Sequence, residues 1–181
     1  MRIISGKYRG KILKTFSGQD IRPTSDRAKE SIFNIINQMV FDSEVLDLFC
    51  GTGSIGVEFI SRGAKRVVFV DSSKESIDIT KANISSIRES GEVFLTSSES
   101  FVSNYNKPFD IIFLDPPYSY DNVSILFEKI AKNNLLKENG IIIYEHKSDR
   151  ASECFANFSL YSTRKYGIAV FDFYKVDKVW K

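Results

Sequence analysis

Residues 45–71 read VLDLFCGTGSIGVEFISRGAKRVVFVD, and this stretch decides the fold. An apolar run at 45–49 enters a turn carrying Gly51, Gly53 and Gly56. An amphipathic segment follows from about 54 to 62, and a second apolar run, 67–70, ends on Asp71. Strand, glycine turn, helix and strand in that order form a parallel unit, because a crossover helix is what returns the chain to run beside itself in the same direction. Glycines at such a turn permit positive φ and close approach of backbone to a ligand, while free N–H groups at the helix start favour an anionic group. Asp71 comes twenty positions after Gly51, where a carboxylate can accept hydrogen bonds from both ribose hydroxyls of a nucleoside. Loop and acid together predict an adenosine-type ligand across the carboxyl ends of the strands.

The alternation continues downstream. A helix is expected over about 74–88, a third strand at 93–95, a fourth at 109–114, a helix over about 122–136, and a fifth strand at 141–144 after the Asn139-Gly140 stop signal. Two β-rich runs, 158–166 and 168–176, meet at Gly167 and predict an antiparallel hairpin. Upstream, RIISGKYRGKILKTF at 2–16 predicts two short strands around Gly6 and Gly10, and Thr24 or Ser25 can cap a helix reaching about residue 40. The fold class is α/β, a doubly wound, mostly parallel sheet. Residues 1–20 form a basic hairpin extension and 21–181 the main domain, with no repeats and no low-complexity linker.

Composition narrows the chemistry. The 181 residues fit one core, and 43% apolar with 27% charged residues is ordinary for a soluble protein. No apolar run approaches the roughly 20 residues that span a bilayer, so a cytoplasmic protein without membrane contact is expected. Two cysteines make no disulfide framework, and His146, alone of its type, leaves little room for a metal site or a histidine base. The net charge of +2 is small but unevenly placed: residues 1–19 hold Arg2, Lys7, Arg9, Lys11 and Lys14 and no acid. Such a patch can grip phosphate, although it is equally readable as solvated charge.

The second motif is Asp115-Pro116-Pro117-Tyr118, directly after the strand 109–114 and at the same sheet edge as the glycine loop. An exocyclic amine on a heterocycle is a poor nucleophile, since its lone pair is delocalised. Its methylation therefore needs acceptors that hold the N–H bonds and favour pyramidal nitrogen. The Asp115 carboxylate and the Pro116 carbonyl supply two, stiffened by the proline pair, and Tyr118 can stack on an extruded base. A negative Asp115 also suits a neighbouring cation. A plain proline turn ending a strand is the structural alternative. Gly51, Gly53, Gly56 and Asp71 also satisfy a dinucleotide fingerprint. Against it stand Asp47, where a dinucleotide strand is normally apolar, and the second motif, which has no role in hydride transfer.

Asp47-x-Phe49-x-Gly51-x-Gly53, Asp71 and Asp115-Pro116-Pro117-Tyr118 resemble the motifs of class I methyltransferases that act on amino groups of nucleic-acid bases. GKYRG at 6–10 and RPTSDRAKESIFN at 22–34 are similar to the N-terminal signatures of bacterial enzymes that methylate guanine N2 in small-subunit ribosomal RNA. The resemblance covers nearly the whole chain. It implies a seven-stranded Rossmann-like sheet whose last strand is antiparallel, with S-adenosylmethionine as methyl donor. It further implies a substrate in an assembled or assembling small ribosomal subunit. On that pattern Thr24, Asp47, Phe49, Gly51, Gly53, Asp71, Ser72, Ser97, Ser98 and Asp115 hold the cofactor. Asp115, Pro116, Pro117 and Tyr118 serve the reaction, and Arg2, Lys7, Arg9 and Lys11 contact RNA. Residues 22–30 fold over the cofactor, no metal takes part, and the enzyme acts as a monomer. One departure concerns the adenine contact: relatives carry an acid or amide just after the third strand, where this chain has Thr96-Ser97-Ser98-Glu99. Ser97 occupies that position, and its hydroxyl with the Ser98 N–H can bond the adenine edge.

Other residues keep structural readings. Cys50 is a small buried residue, Glu145 and His146 are solvated or structural, and the Tyr161-x-x-x-Lys165 echo of short-chain dehydrogenases is coincidence. Three alternatives to guanine N2 methylation stay open: adenine N6 methylation of DNA or RNA, an NAD-dependent oxidoreductase, and an RNA-binding module without activity.

Overall fold

The computed structural model describes residues 1–16 and 26–177. In chain order the first elements are helices α1 (Asp26–Ile35) and α2 (Asn37–Val40), strand β1 (Glu44–Leu48), α3 (Ser54–Ser61), β2 (Arg66–Asp71), α4 (Lys74–Ser86) and β3 (Glu92–Leu95). They are followed by α5 (Ser98–Asn104), β4 (Phe109–Leu114), α6 (Val123–Lys132), β5 (Leu136–Lys147), β6 (Phe158–Tyr166) and β7 (Ala169–Val176). The seven strands form one sheet in the order β3-β2-β1-β4-β5-β7-β6. Strands β1 to β5 pair parallel, whereas β7 runs antiparallel to both β5 and β6. The strand order reverses between β1 and β4, and a crevice opens above such a switch point.

Each face of the sheet carries its own apolar layer. Val45, Phe69, Ile111, Phe113, Ile143 and Phe171 pack on one side with α1 and α3, and Leu46, Val68, Ile112, Leu114, Tyr144 and Tyr174 on the other with α6. Burial on both faces makes the inner strands continuously apolar rather than alternating. Close helix packing needs Gly56, because a Cβ there would lie 2.1 Å from the Phe69 ring.

Four expectations are corrected. Residues 2–16 hold a single isolated bridge, Arg2 to Ile12, in place of two strands. Around it Ile3 N–H donates to the Lys11 carbonyl and Leu13 N–H to the Met1 carbonyl, at 3.0 and 3.1 Å, while other donors go to the domain: Ile4 N–H and Ser5 N–H to the Glu58 carboxylate at 2.8 and 3.0 Å, and Lys7 N–H to the Ser61 carbonyl at 2.7 Å. Ile3 and Leu13 are buried in the first apolar layer, so the segment is welded to the core. The helix expected to reach residue 40 ends at Ile35 and restarts as one turn at Asn37. Helix α5 was absent from the periodic reading because its seven residues, SESFVSN, bury only Phe101 and Val102 among the apolar ones. Finally, α6 stops at Lys132, Asn134 takes φ +50°, and β5 begins at Leu136, ahead of Asn139-Gly140. Leu136 pairs with Phe109, the register then shifts, and the regular pairing with β4 runs from Ile141 to Tyr144, directly after Asn139-Gly140.

Candidate active site

The glycine turn is fixed by bonds from three directions. Phe49 N–H and Cys50 N–H both donate to the Val70 carbonyl, at 3.0 and 2.9 Å, which lashes the turn to β2. Asp47, 2% exposed, accepts the Gly56 N–H at 2.9 Å and joins the end of β1 to the first turn of α3. Thr80 donates from α4 to the Gly51 carbonyl at 3.0 Å. Phe49 takes φ +84°, a conformation that costs a non-glycine residue on the order of 1–3 kcal/mol. Its two neighbouring bonds to Val70 and an edge contact with Tyr120, ring centroids 5.2 Å apart, hold it there.

Above this turn lies a cleft of about 570 Å³. Phe49, Gly51, Asp71, Ser72, Ser97, Ser98, Asp115, Pro116, Pro117 and Tyr118 all line it, so the two sequence motifs face one space. Gly51 presents its open side, since a Cβ built there meets nothing within 4 Å. That is the backbone cradle a closely approaching ligand requires. Asp71 is already half committed: Oδ2 accepts the Gly51 N–H at 2.9 Å and Oδ1 the Ser73 N–H at 2.8 Å. Each carboxylate oxygen keeps a further lone pair for a ribose hydroxyl. Ser97 caps α5 by accepting the Ser100 N–H at 3.2 Å, and Ser98 donates to Glu99 at 3.1 Å.

The electrostatics favour a cation. Burial pushes the Asp47 carboxyl up to about 7 against the Gly56 hydrogen bond, and the nearby charges of Asp115 and Asp71 push the same way. Burial also raises Asp115 to about 7. Three carboxylates thus converge on the glycine turn, and a sulfonium would relieve their mutual repulsion. Cradle and charge both fit S-adenosylmethionine.

Some expected site residues stand apart. Asp47 and Gly53 lie behind the turn, where a Cβ on Gly53 would meet Thr80 at 2.8 Å, so their part is to shape the loop. Thr24 falls outside the described residues, as does the start of the segment 22–30. Arg2, Lys7, Arg9 and Lys11 belong to the N-terminal segment and do not line the cleft. Arg2 pairs with Asp26 and Lys7 with Glu89, each at 2.9 Å.

The cleft also has walls that sequence reading missed: Val70, Glu99, Tyr120, Glu145 and Ile168. Glu99 is set in the cleft by α5, and Tyr120 donates its hydroxyl hydrogen to it. Burial alone would raise Glu99, but the bonds from Tyr120, its own N–H and Ser98 outweigh it and hold the carboxyl below its ordinary value. The solvated reading of Glu145 and His146 is overturned, for they are 6% and 3% exposed. His146 Nε2 meets Asp172 Oδ2 at 3.0 Å, a structural bond between β5 and β7. Cys50 is buried against Thr80, and burial pushes its thiol up. Tyr161 and Lys165 are exposed on β6, and Lys175 rather than Lys165 lies over the Tyr161 ring, at 3.9 Å.

The pattern of the family described as conserved hypothetical protein 95 matches residues 1–175. Ribosomal RNA small subunit methyltransferase D of Haemophilus influenzae is 35% identical over 180 residues, 97% of this chain and 93% of that one. The Escherichia coli protein of the same name is 26% identical over 177 residues, covering 97% and 89%. Among solved structures, the candidate methyltransferase yhhF of Escherichia coli superposes with a TM-score of 0.88 at 26% identity, over 98% of each chain. Among the described residues no helix is long and apolar enough to cross a membrane, and no group of three acid, histidine or cysteine residues could hold a metal ion.

Proposed function

This chain belongs to the family described as conserved hypothetical protein 95, and from that premise we propose that it methylates the N2 amine of a guanine in small-subunit ribosomal RNA. The carrying observation is that Asp115 and Tyr118 line the same cleft as Gly51 and Asp71. The donor site and the amine site are therefore one space. The fold, the methyltransferase relatives and the cleft together make the chain an S-adenosylmethionine-dependent methyltransferase.

S-adenosylmethionine, when bound, supplies an electrophilic methyl group on a sulfonium. Gly51, Asp71, Ser72, Ser97 and Ser98 hold it in this reading, and Phe49 walls it. Asp115 and the Pro116 carbonyl accept the two N–H bonds of the amine, freeing the nitrogen lone pair. Pro117 stiffens the turn, and Tyr118, 48% exposed at the cleft rim, stacks on the base. Asp115, with its carboxyl pushed up to about 7, can take the proton that the amine loses, since an acceptor works best near the operating pH. Arg2, Lys7, Arg9 and Lys11 grip RNA phosphates on the N-terminal segment, so binding weakens steeply as salt rises. The protein acts as a monomer on the small subunit, in the cytoplasm.

The test is a radiolabelled methyl-transfer assay on small subunits lacking their modifications, followed by digestion to nucleosides. The expected product is 2-methylguanosine. N6-methyladenosine would move the reading to adenine. Binding of NADH but not S-adenosylmethionine in calorimetry would make the chain an oxidoreductase, and RNA binding without transfer would make it a recognition module.

A further inference from the structure

An acid enters the cleft on the far side of Asp71 from Asp115. The strand order β3-β2-β1-β4 puts the end of β3 beside Asp71 and the end of β4 beyond β1. Asp71 pairs with Leu95, and its carbonyl accepts the Thr96 N–H at 3.0 Å, so the chain leaves β3 next to the ribose acid and turns into α5. Ser97, Ser98 and Glu99 then line the cleft. The sequence pattern points to Ser97 at the adenine edge, but Ser97 is exposed and its Oγ accepts the Ser100 N–H at 3.2 Å as the cap of α5. Glu99 is half-buried and held at both oxygens: Oε1 accepts the Tyr120 hydroxyl, and Oε2 the Ser98 hydroxyl at 3.1 Å. Tyr120 is fixed in turn, its N–H on the Pro117 carbonyl at 2.8 Å and its ring edge-on to Phe49, centroids 5.2 Å apart. From α6, Lys129 Nζ donates to the Glu99 carbonyl at 3.4 Å and Asn133 Nδ2 to the Val102 carbonyl at 2.6 Å, which ties α5 in place.

We propose that Glu99 accepts a hydrogen bond from the 6-amino group of the S-adenosylmethionine adenine. A nucleoside whose ribose sits on Asp71 has its sulfonium drawn toward Gly51 and Asp115, on the β1–β4 side. Its base then extends to the β3 side, where Glu99 stands. A carboxylate only accepts, so it suits an amine and repels the carbonyl oxygen that inosine or guanosine carries at the same ring position. Each Glu99 oxygen has one bond and keeps a second lone pair, so the amine joins the Tyr120 and Ser98 hydroxyls without displacing either. Asp71 thus holds the sugar, and Glu99 selects the base. The inference rests on the S-adenosylmethionine reading of the cleft and deepens it.

Calorimetry tests it with S-adenosylhomocysteine and the analogue in which unsubstituted purine replaces adenine, which lacks the 6-amino group and keeps every ring nitrogen. The wild-type protein should bind the purine analogue roughly 10- to 100-fold more weakly, the worth of a hydrogen bond to a charged group. In Glu99→Ala the two ligands should bind within about threefold of each other, because the cycle then removes both partners of one interaction. Equal affinities in the wild type overturn the proposal and need no variant to fold. A wild-type gap that survives in Glu99→Ala assigns the amine to another acceptor, Ser97 first among them, and overturns it as well. Either result with S-adenosylhomocysteine bound removes Glu99 alone. A wild-type protein that binds neither S-adenosylhomocysteine nor S-adenosylmethionine removes the cofactor reading and this inference with it.

Discussion

The Asp71 carboxylate and the Gly51 amide meet at 2.9 Å, tying the tip of β2 to the glycine turn. One acid therefore both shapes the loop and waits for the ligand. Replacing Asp71 with Ala should weaken S-adenosylmethionine binding roughly 10- to 100-fold, the worth of hydrogen bonds to a charged group plus a loosened turn. Calorimetry on the folded variant checks it, and unchanged affinity would remove the ribose role.

Asp115 belongs to the amine rather than the ribose. Asp115→Ala should lower methyl transfer by about 10²–10³, the usual loss when one preorganised polar partner leaves an active site. Affinity for the donor should change far less than turnover. Near-normal single-turnover rates on small subunits would take Asp115 out of the reaction.

The strands and the glycine turn were readable because burial on both faces writes long apolar runs, and because Gly51, Gly53 and Gly56 mark the passage from β1 into α3. Helix α5 was not, since a seven-residue helix capped by Ser97 leaves no sustained period. The N-terminal pair of strands failed for a different reason. Its hairpin pattern survives as one bridge with flanking bonds such as Ile3 N–H to the Lys11 carbonyl, because other donors go to Glu58 and Ser61, more than fifty residues away. Glu145 was hidden in the same way: a lone acid after a strand looks solvated until the β4–β5 register sets it beside Asp115. Motifs carry the chemistry of contiguous residues, but contacts made by sheet register have no sequence signature.

Glu58 gathers that N-terminal segment. Wholly buried, it accepts from Ile4, Ser5 and Arg62, and the buried Lys29 ammonium stands 3.6 Å away. Burial holds the Lys29 ammonium below its ordinary value, against the pull of Glu58. Glu58→Ala would strand a buried cation and free two backbone donors, costing about 3–5 kcal/mol. Lys29→Met should cost less, because Glu58 keeps its other donors and methionine fills the space. Urea unfolding of the two variants tests the order, and an equal or reversed ranking would show that the ion pair does not organise the segment.

Acidity should act on folding and on ligand choice through the same carboxyls. Asp47 and Asp115 both stand at about 7 in the folded chain against an ordinary 3.8, because burial disfavours their charge. Between those values the folded chain holds protons that the unfolded chain has lost, so stability falls as pH rises from about 4 to about 7. The urea midpoint of the ligand-free protein should follow that slope, and Asp115→Asn should flatten part of it. Ionised carboxylates favour a sulfonium but gain nothing from the neutral thioether of S-adenosylhomocysteine. The preference for S-adenosylmethionine over that product should therefore grow between pH 6 and pH 8, as the acids around the glycine turn lose their protons. Paired calorimetric titrations at the two pH values decide it. A constant ratio would mean that the acids do not sense the charge on sulfur, and that the cleft selects its donor by shape.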